Sequence, residues 1–279
     1  MSTIDLLIAV RDEHATRFKE KLSTNTSLHL QIVNNKKDAL DVLADRNVHT
    51  DVFVVDNGLE DVYLLITELR QKYPRLLIIL VDEDADFGMP GQADDISTEP
   101  FRHDDLVNKI KRLMSDRQLE TLRSDSLPAV RNIAQRLRTA NGRTGKHESA
   151  VATCKDMGYD YVAYYNLETK EPIKMELRAQ QGPPAITSIA PKIATADDLM
   201  GWVVQNGQSR IAGHKDTPNH PMVARGRLGI VACVPVAFSG QVYGVMVICN
   251  DRPNSLTQEN VMMIELVSAQ LAAALSKER

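Results

Sequence analysis

Very little in this chain points to chemistry at a disulfide, a metal cluster or a membrane. Its 279 residues include three cysteines, Cys154, Cys233 and Cys249, an odd number at wide spacing that indicates neither a disulfide framework nor a zinc site. A reduced cytoplasm is the expected setting. No apolar run approaches the roughly 20 residues a bilayer span requires, and Met1 to Val10 lacks the basic start and apolar core of a signal segment. A soluble protein without membrane association is therefore expected. Neither charge sign dominates: 33 Lys and Arg against 37 Asp and Glu leave a net charge of -4, which argues against a dominant nucleic-acid surface. Also missing are a nucleotide-cradling glycine loop, a kinase histidine region and a nucleophile with its base, so no catalytic residue is nominated and a non-enzyme is expected. The length leaves room for about two domains, each with its own core.

What is present begins with alternation. Leu6 to Val10 is a short β-rich apolar run, and Asp12 opens an amphipathic helix through about Leu22. His29 to Val33 alternates as a strand, Lys36 to Leu43 reads as a helix, and Asp51 to Val55 is the next strand. Val62, Leu65, Ile66 and Leu69 share one helical face, and Pro74 ends that helix. Leu76 to Val81 is the most apolar run, as a central parallel strand requires. After an acidic, glycine-containing stretch, Asp95 to Thr98 forms a last short strand, and Leu106, Ile110 and Leu113 mark a closing helix. Five β-α units in about 115 residues predict an α/β doubly wound, five-stranded parallel sheet with its functional loops at the strand C-termini.

Residues 51 to 56, Asp-Val-Phe-Val-Val-Asp, deliver Asp56 to such a strand end. Together with Ala-Asp-Asp-Ile-Ser-Thr-Glu-Pro-Phe at 93 to 101, this segment makes residues 1–116 resemble a response-regulator receiver domain of two-component signalling. The resemblance implies that Asp56 is the candidate phosphoacceptor, assisted by magnesium on acidic neighbours and by a lysine that neutralises the product. Three positions are altered. Arg11 stands in the acidic pair after the first strand, which leaves Asp12, Glu13 and Asp56 as candidate metal ligands. Asp82 replaces a hydroxyl that would bond the phosphoryl oxygen, and Glu99 replaces the lysine before Pro100. Asp56 could instead simply cap nearby backbone amides. Arg11 could pair with Asp56 and imitate a neutralised acceptor.

From His103 the chain is helix-compatible through Leu122, and Pro128 interrupts the pattern before Val130, Ile133, Ala134 and Leu137 resume it. Residues 117–140 are read as a helical connector able to pair as a coiled coil or to pack on its own domain. Gly142, Arg143, Gly145 and Lys146 read as a solvated turn. Ser149 to Met157 is then helical, Tyr161 to Asn166 and Ile173 to Ala179 form a meander, and Ile189 to Thr195 reads as irregular. Leu199 to Val204 is a short helix stopped by Asn206-Gly207. Ile230 to Ala237 and Val242 to Cys249 flank a Phe238-Ser239-Gly240-Gln241 turn and make the clearest hairpin. Thr257 caps a final helix with a stripe of Val261, Ile264, Val267, Leu271 and Leu275.

The order and spacing of Met200-Gly201-Trp202-Val203-Val204-Gln205-Asn206-Gly207-Gln208, Ala232-Cys233-Val234-Pro235-Val236 and Gln241-Val242-Tyr243-Gly244-Val245-Met246 make residues 141–279 resemble a GAF domain, with a first helix starting near 125. The resemblance implies an α+β antiparallel sheet with flanking helices, a small-molecule pocket of unknown ligand, and a homodimer through connector and terminal helices. Cyclic nucleotides are not the implied ligand, because the Lys and Phe of such pockets are absent around Asn250-Asp251 and Leu256 to Asn260. Cys233 and Cys249 read as buried thiols, with no basic neighbour to activate them. His214, Asp216 and His220 read as a solvated loop, and Trp202 as a core or pocket-wall residue. The expected function is a non-enzymatic signal-transduction regulator with a pseudo-receiver, contacting a histidine kinase or another signalling protein. Its alternatives are a two-component response regulator phosphorylated on Asp56 and a small-molecule sensor acting through the GAF-like pocket.

Overall fold

A computed structural model describes residues 3–83, 91–124 and 128–277. The chain divides into two compact units, the boundary along the sequence falling between Thr121 and Leu122.

The first unit runs β1 (Ile4–Ala9), α1 (Asp12–Leu22), β2 (Leu28–Val33), α2 (Lys36–Ala44), β3 (Val52–Asp56), α3 (Val62–Lys72), β4 (Leu77–Val81), β5 (Asp95–Ser97) and α4 (Asp105–Ser124). Its five strands lie in the order β2-β1-β3-β4-β5, and every neighbouring pair is parallel. Both faces are covered: Leu6, Ile8, Val52, Val54 and Ile79 join Phe18, Leu106 and Ile110 in one core, while the alternate residues Leu7, Phe53, Val55 and Leu80 are buried as well. This accounts for the unbroken apolar runs, since each such side chain taken from water contributes about 1.5–3 kcal/mol. The four residues predicted to share a face of α3, Val62, Leu65, Ile66 and Leu69, are all buried. One difference concerns the expected five β-α units. Residues 82, 83 and 91–94 are not helical, and the remainder of the acidic, glycine-containing stretch, 84–90, lies outside the described residues. Four helices therefore accompany five strands among the described residues.

The second unit contains α5 (Pro128–Thr139), α6 (Gly142–Lys155), β6 (Tyr161–Lys170), β7 (Ile173–Gln181), α7 (Pro184–Thr187), β8 (Ile193–Thr195), α8 (Leu199–Asn206), β9 (Arg210–Gly213), α9 (Pro221–Ala224), β10 (Ile230–Phe238), β11 (Gln241–Asn250) and α10 (Gln258–Ser276). Its six strands form an antiparallel sheet ordered β8-β7-β6-β11-β10-β9. Ile133 and Leu137 of α5, Ala150, Val151 and Cys154 of α6, and Val261, Ile264, Val267, Leu271 and Leu275 of α10 pack on Val162, Tyr164, Ala232, Val234 and Met246 of the sheet. The stripe predicted for α10 is thus buried along its whole length. Thr257 closes a capping box: its hydroxyl accepts from Asn260 N at 3.3 Å, and Asn260 Oδ1 accepts from Thr257 N at 2.9 Å. The β10–β11 hairpin turns on Ser239 (φ 50°) and Gly240 (φ 77°), the positive angles that a two-residue turn between twisted strands demands. Gly207 ends α8 in the left-handed region at φ 64°, as the predicted stop requires.

Three expectations are corrected. Residues 142–146 are the first turn of α6 rather than a solvated turn, and Lys146 is buried. Glycine is a poor helix former, so the helix extends here because its apolar stripe packs on α5, α10 and the sheet, and tertiary burial outweighs propensity. Part of the irregular stretch pairs as β8 on the edge beside β7. Arg210 to Gly213, not singled out as a strand, pairs with β10 as β9. Both are short edge strands whose pairing depends on distant partners rather than on local pattern. The predicted helix start near 125 lies outside the described residues, as does the side chain of Val130.

Candidate functional site

In an open parallel sheet, ligands bind beyond the carboxyl ends of the strands where the strand order reverses. Here that point lies between β1 and β3. Every residue of β3 is buried, and the strand delivers Asp56 at 5% exposure. Arg11 follows β1 as the N-cap residue of α1, and its Nε donates to Asp56 Oδ2 at 3.2 Å. His14 Nδ1 lies 3.0 Å from the same oxygen, and because a carboxylate only accepts, that nitrogen carries the proton. Gly58 N donates to Oδ1 at 2.9 Å. Burial works to raise the Asp56 pKa, but the Gly58 amide, then Arg11, then His14 outweigh it and hold the carboxyl below its ordinary range. Gly58 is also needed for space: a Cβ there would come within 2.3 Å of the Arg11 guanidinium.

These groups line a cleft of about 320 Å³ with Arg17, Asn57, Val81, Asp82 and Glu83. Asp82 accepts from Asn57 Nδ2 at 2.8 Å, and Arg17 reaches Glu83 at 3.3 Å. Of the residues nominated from sequence, Arg11, Asp56 and Asp82 meet in the cleft. Glu13 is tied to it through Arg11 Nη1 at 3.2 Å. Asp12 is exposed in the first turn of α1, and Glu99 is exposed and paired with Arg102 at 3.0 Å, so neither lines the cleft. His14 and Arg17 were not nominated. Their signal was spacing: residues 11, 14 and 17 recur every third position, which places them on one side of a helix start.

In the second unit the three cysteines are buried and free. Burial pushes the Cys154 thiol up to about 12 and raises those of Cys233 and Cys249 as well, so none is an activated thiolate. Trp202 is buried. The loop holding His214, Asp216 and His220 is solvated at His214, Lys215 and Thr217, as expected, but not at His220. His220 is fully buried, its Nδ1 accepts from Met222 N at 3.3 Å to cap α9, and burial pushes its pKa down to about 3. His214 Nδ1 contacts Val223 O at 2.9 Å, and Asp216 accepts from Gly213 N at 2.8 Å. Asp198 caps α8 by accepting from Gly201 N at 3.0 Å. Burial pushes its pKa up to about 6, with the Gly201 and Met200 amides opposing and Asp197 adding to the rise.

Residues 148–276 match the family model described as GAF domain. The second unit carries a GAF domain. The GAF domain of a phosphoenolpyruvate-protein phosphotransferase from Coxiella burnetii is similar at 16% identity and a TM-score of 0.47, covering 54% of this chain and 92% of that one. A free methionine-R-sulfoxide reductase from Neisseria meningitidis, solved with its substrate, is similar at 15% identity and a TM-score of 0.46, covering 53% of this chain and 86% of that one. No curated protein matches the chain. Among the described residues, no helix is long and apolar enough to cross a membrane.

Proposed function

We propose that the chain is a non-enzymatic signalling regulator, in which a GAF domain senses a small ligand and a receiver-like unit is held in one conformation by an internal ion pair. The observation that carries this reading is the set of three donors already on Asp56. Its Oδ2 takes Arg11 and His14, and its Oδ1 takes the Gly58 amide, so the oxygen that would attack phosphorus already has two donors on it. The donor set does not fit magnesium: a guanidinium stands between Asp56 and Glu13, contacting both at 3.2 Å, where the ion would need free carboxylate oxygens. Arg11 thereby places permanently on the carboxylate the positive charge that a bound magnesium ion would otherwise supply. Contact with a histidine kinase or another signalling protein belongs to the same proposal, as does dimerisation through the connector and α10, on which Met262 and Met263 are about 40% exposed.

The test treats the full chain with acetyl phosphate, and separately with beryllium fluoride and magnesium, and follows intact mass and amide resonances. Both are expected to stay unchanged. Gly58→Ala serves as the positive comparison, because its methyl must displace the Arg11 guanidinium and so shift the resonances around Asp56. A phosphoryl adduct mapped to Asp56, or a fluoride-dependent shift of those resonances in the unaltered chain, would overturn the locked reading in favour of a working phosphoacceptor.

A further inference from the structure

The opposite edge of the parallel sheet, where strands begin, gathers a second polar cluster that the signalling reading does not use. Asp5 is the second residue of β1 and Asp51 immediately precedes β3. Because Leu6 pairs with Val52 in the sheet, these carboxylates lie on neighbouring positions. Two backbone bonds hold them there: Asp51 N donates to Asp5 O at 2.8 Å, and Asp5 N donates to Asp51 Oδ2 at 3.0 Å. His49 Nε2 sits 3.0 Å from Asp51 Oδ1, and His29 Nδ1 sits 2.8 Å from Asp5 Oδ1. One ligand atom from each of Asp5, His49 and Asp51 lies within 4.8 Å of the others. Among the described residues, this is the one group of three or more His, Cys, Asp or Glu side chains so arranged.

From this geometry we infer a binding site for a divalent transition-metal ion of the zinc class, ligated by Asp5, His49 and Asp51, with His29 as the group that orients Asp5. Bonds of about 2.0–2.2 Å to such an ion set ligand atoms about 3–4 Å apart, so a small inward closure of side chains completes the set. The imidazole ligand selects a borderline ion over magnesium or calcium, which prefer oxygen alone. Asp51 Oδ2 accepts from Asp5 N and Asp5 Oδ1 pairs with His29, contacts that fix the direction of each carboxylate as outer-shell partners do in metal centres. A cleft of about 290 Å³ lined by Asp5, His29, His49 and Thr50 opens beside Asp5 and His49 and leaves room for water ligands. The site lies at the other end of β3 from Asp56, so it is separate from the locked carboxylate.

Calorimetric titration of the full chain with zinc, and absorption spectra with cobalt, provide the test. One saturable site is expected, with a cobalt spectrum of low coordination number. It is expected to weaken at least tenfold in His49→Gln and in Asp5→Asn, both checked for folding by circular dichroism, and to persist in Asp56→Asn. Absence of saturable uptake by the unaltered chain would overturn the assignment and leave only imidazole–carboxylate pairs. So would equal uptake in His49→Gln, or uptake lost in Asp56→Asn but kept in His49→Gln, which would locate the ion at the other cleft.

Discussion

Asp56 in the first unit and Asp198 in the second are both carboxylates partly or largely withdrawn from water, and both accept a backbone amide at about 3 Å. Yet one is held below its ordinary pKa and the other is raised to about 6. Burial pushes both upward. The difference is the company each keeps: Arg11 and His14 converge on Asp56, whereas the groups acting on Asp198 are two amides and the like charge of Asp197. At Asp198 backbone amides alone do not offset desolvation, whereas at Asp56 the Gly58 amide, then Arg11 and His14, together do. What Asp56 has and Asp198 lacks is a cation arriving from another element.

The largest effect that would break this contrast is expected from Arg11→Ala. Removing the cation leaves Asp56 with His14 and one amide, so its pKa should rise toward that of Asp198. Stability at pH 7 should fall by about 1–2 kcal/mol, discounted because Arg11 is itself 43% exposed. Carbon resonances of the Asp56 carboxyl and urea denaturation check both. In the unaltered chain a depressed pKa means that this contribution is complete above the ordinary carboxyl range and is lost as pH falls through the folded value. A second substitution isolates capping from charge. Thr257→Ala removes an uncharged N-cap and should cost about 1 kcal/mol, the same at pH 5 and pH 8. The smallest effect has the opposite sign. Because the folded state holds the Asp198 proton more tightly than the unfolded chain does, its contribution is complete below the unfolded pKa and declines as pH rises toward 6. Asp198→Asn caps equally well without the charge, so it should stabilise at pH 7 by less than about 1 kcal/mol, with the gain vanishing below about pH 4. Thermal melts across pH would reveal a loss instead if Asp198 were paired with a cation.

The same reasoning explains what could be read in advance. Asp56 and Arg11 were legible because each closes a strand of an apolar run, and parallel strands bring their ends to one edge. His14 was not, because helical spacing says which residues share a side of α1 but not which neighbour that side meets. Glu99 and Asp12 were assigned to the site by resemblance, yet one side chain turns to Arg102 and the other faces water. Asp5 is too far along the chain from His49 and Asp51 for any local pattern, and only the β1–β3 register makes them neighbours. In the second unit the long α10 stripe and the hairpin turn were plain, while β8 and β9 were hidden because edge strands draw their stability from partners rather than from their own few residues.

By itself, then, the order of residues determined the kinds of element and their buried faces, since periodicity, caps and turn residues act over a few positions. It also placed a carboxylate and an arginine at strand ends. Tertiary structure alone decided that Asp56 takes three donors, that His220 is sealed from water, and that two aspartates and a histidine converge at the far edge of the sheet. Charge and desolvation depend on distances of a few ångströms between segments remote in sequence, and those distances exist only once the chain has folded.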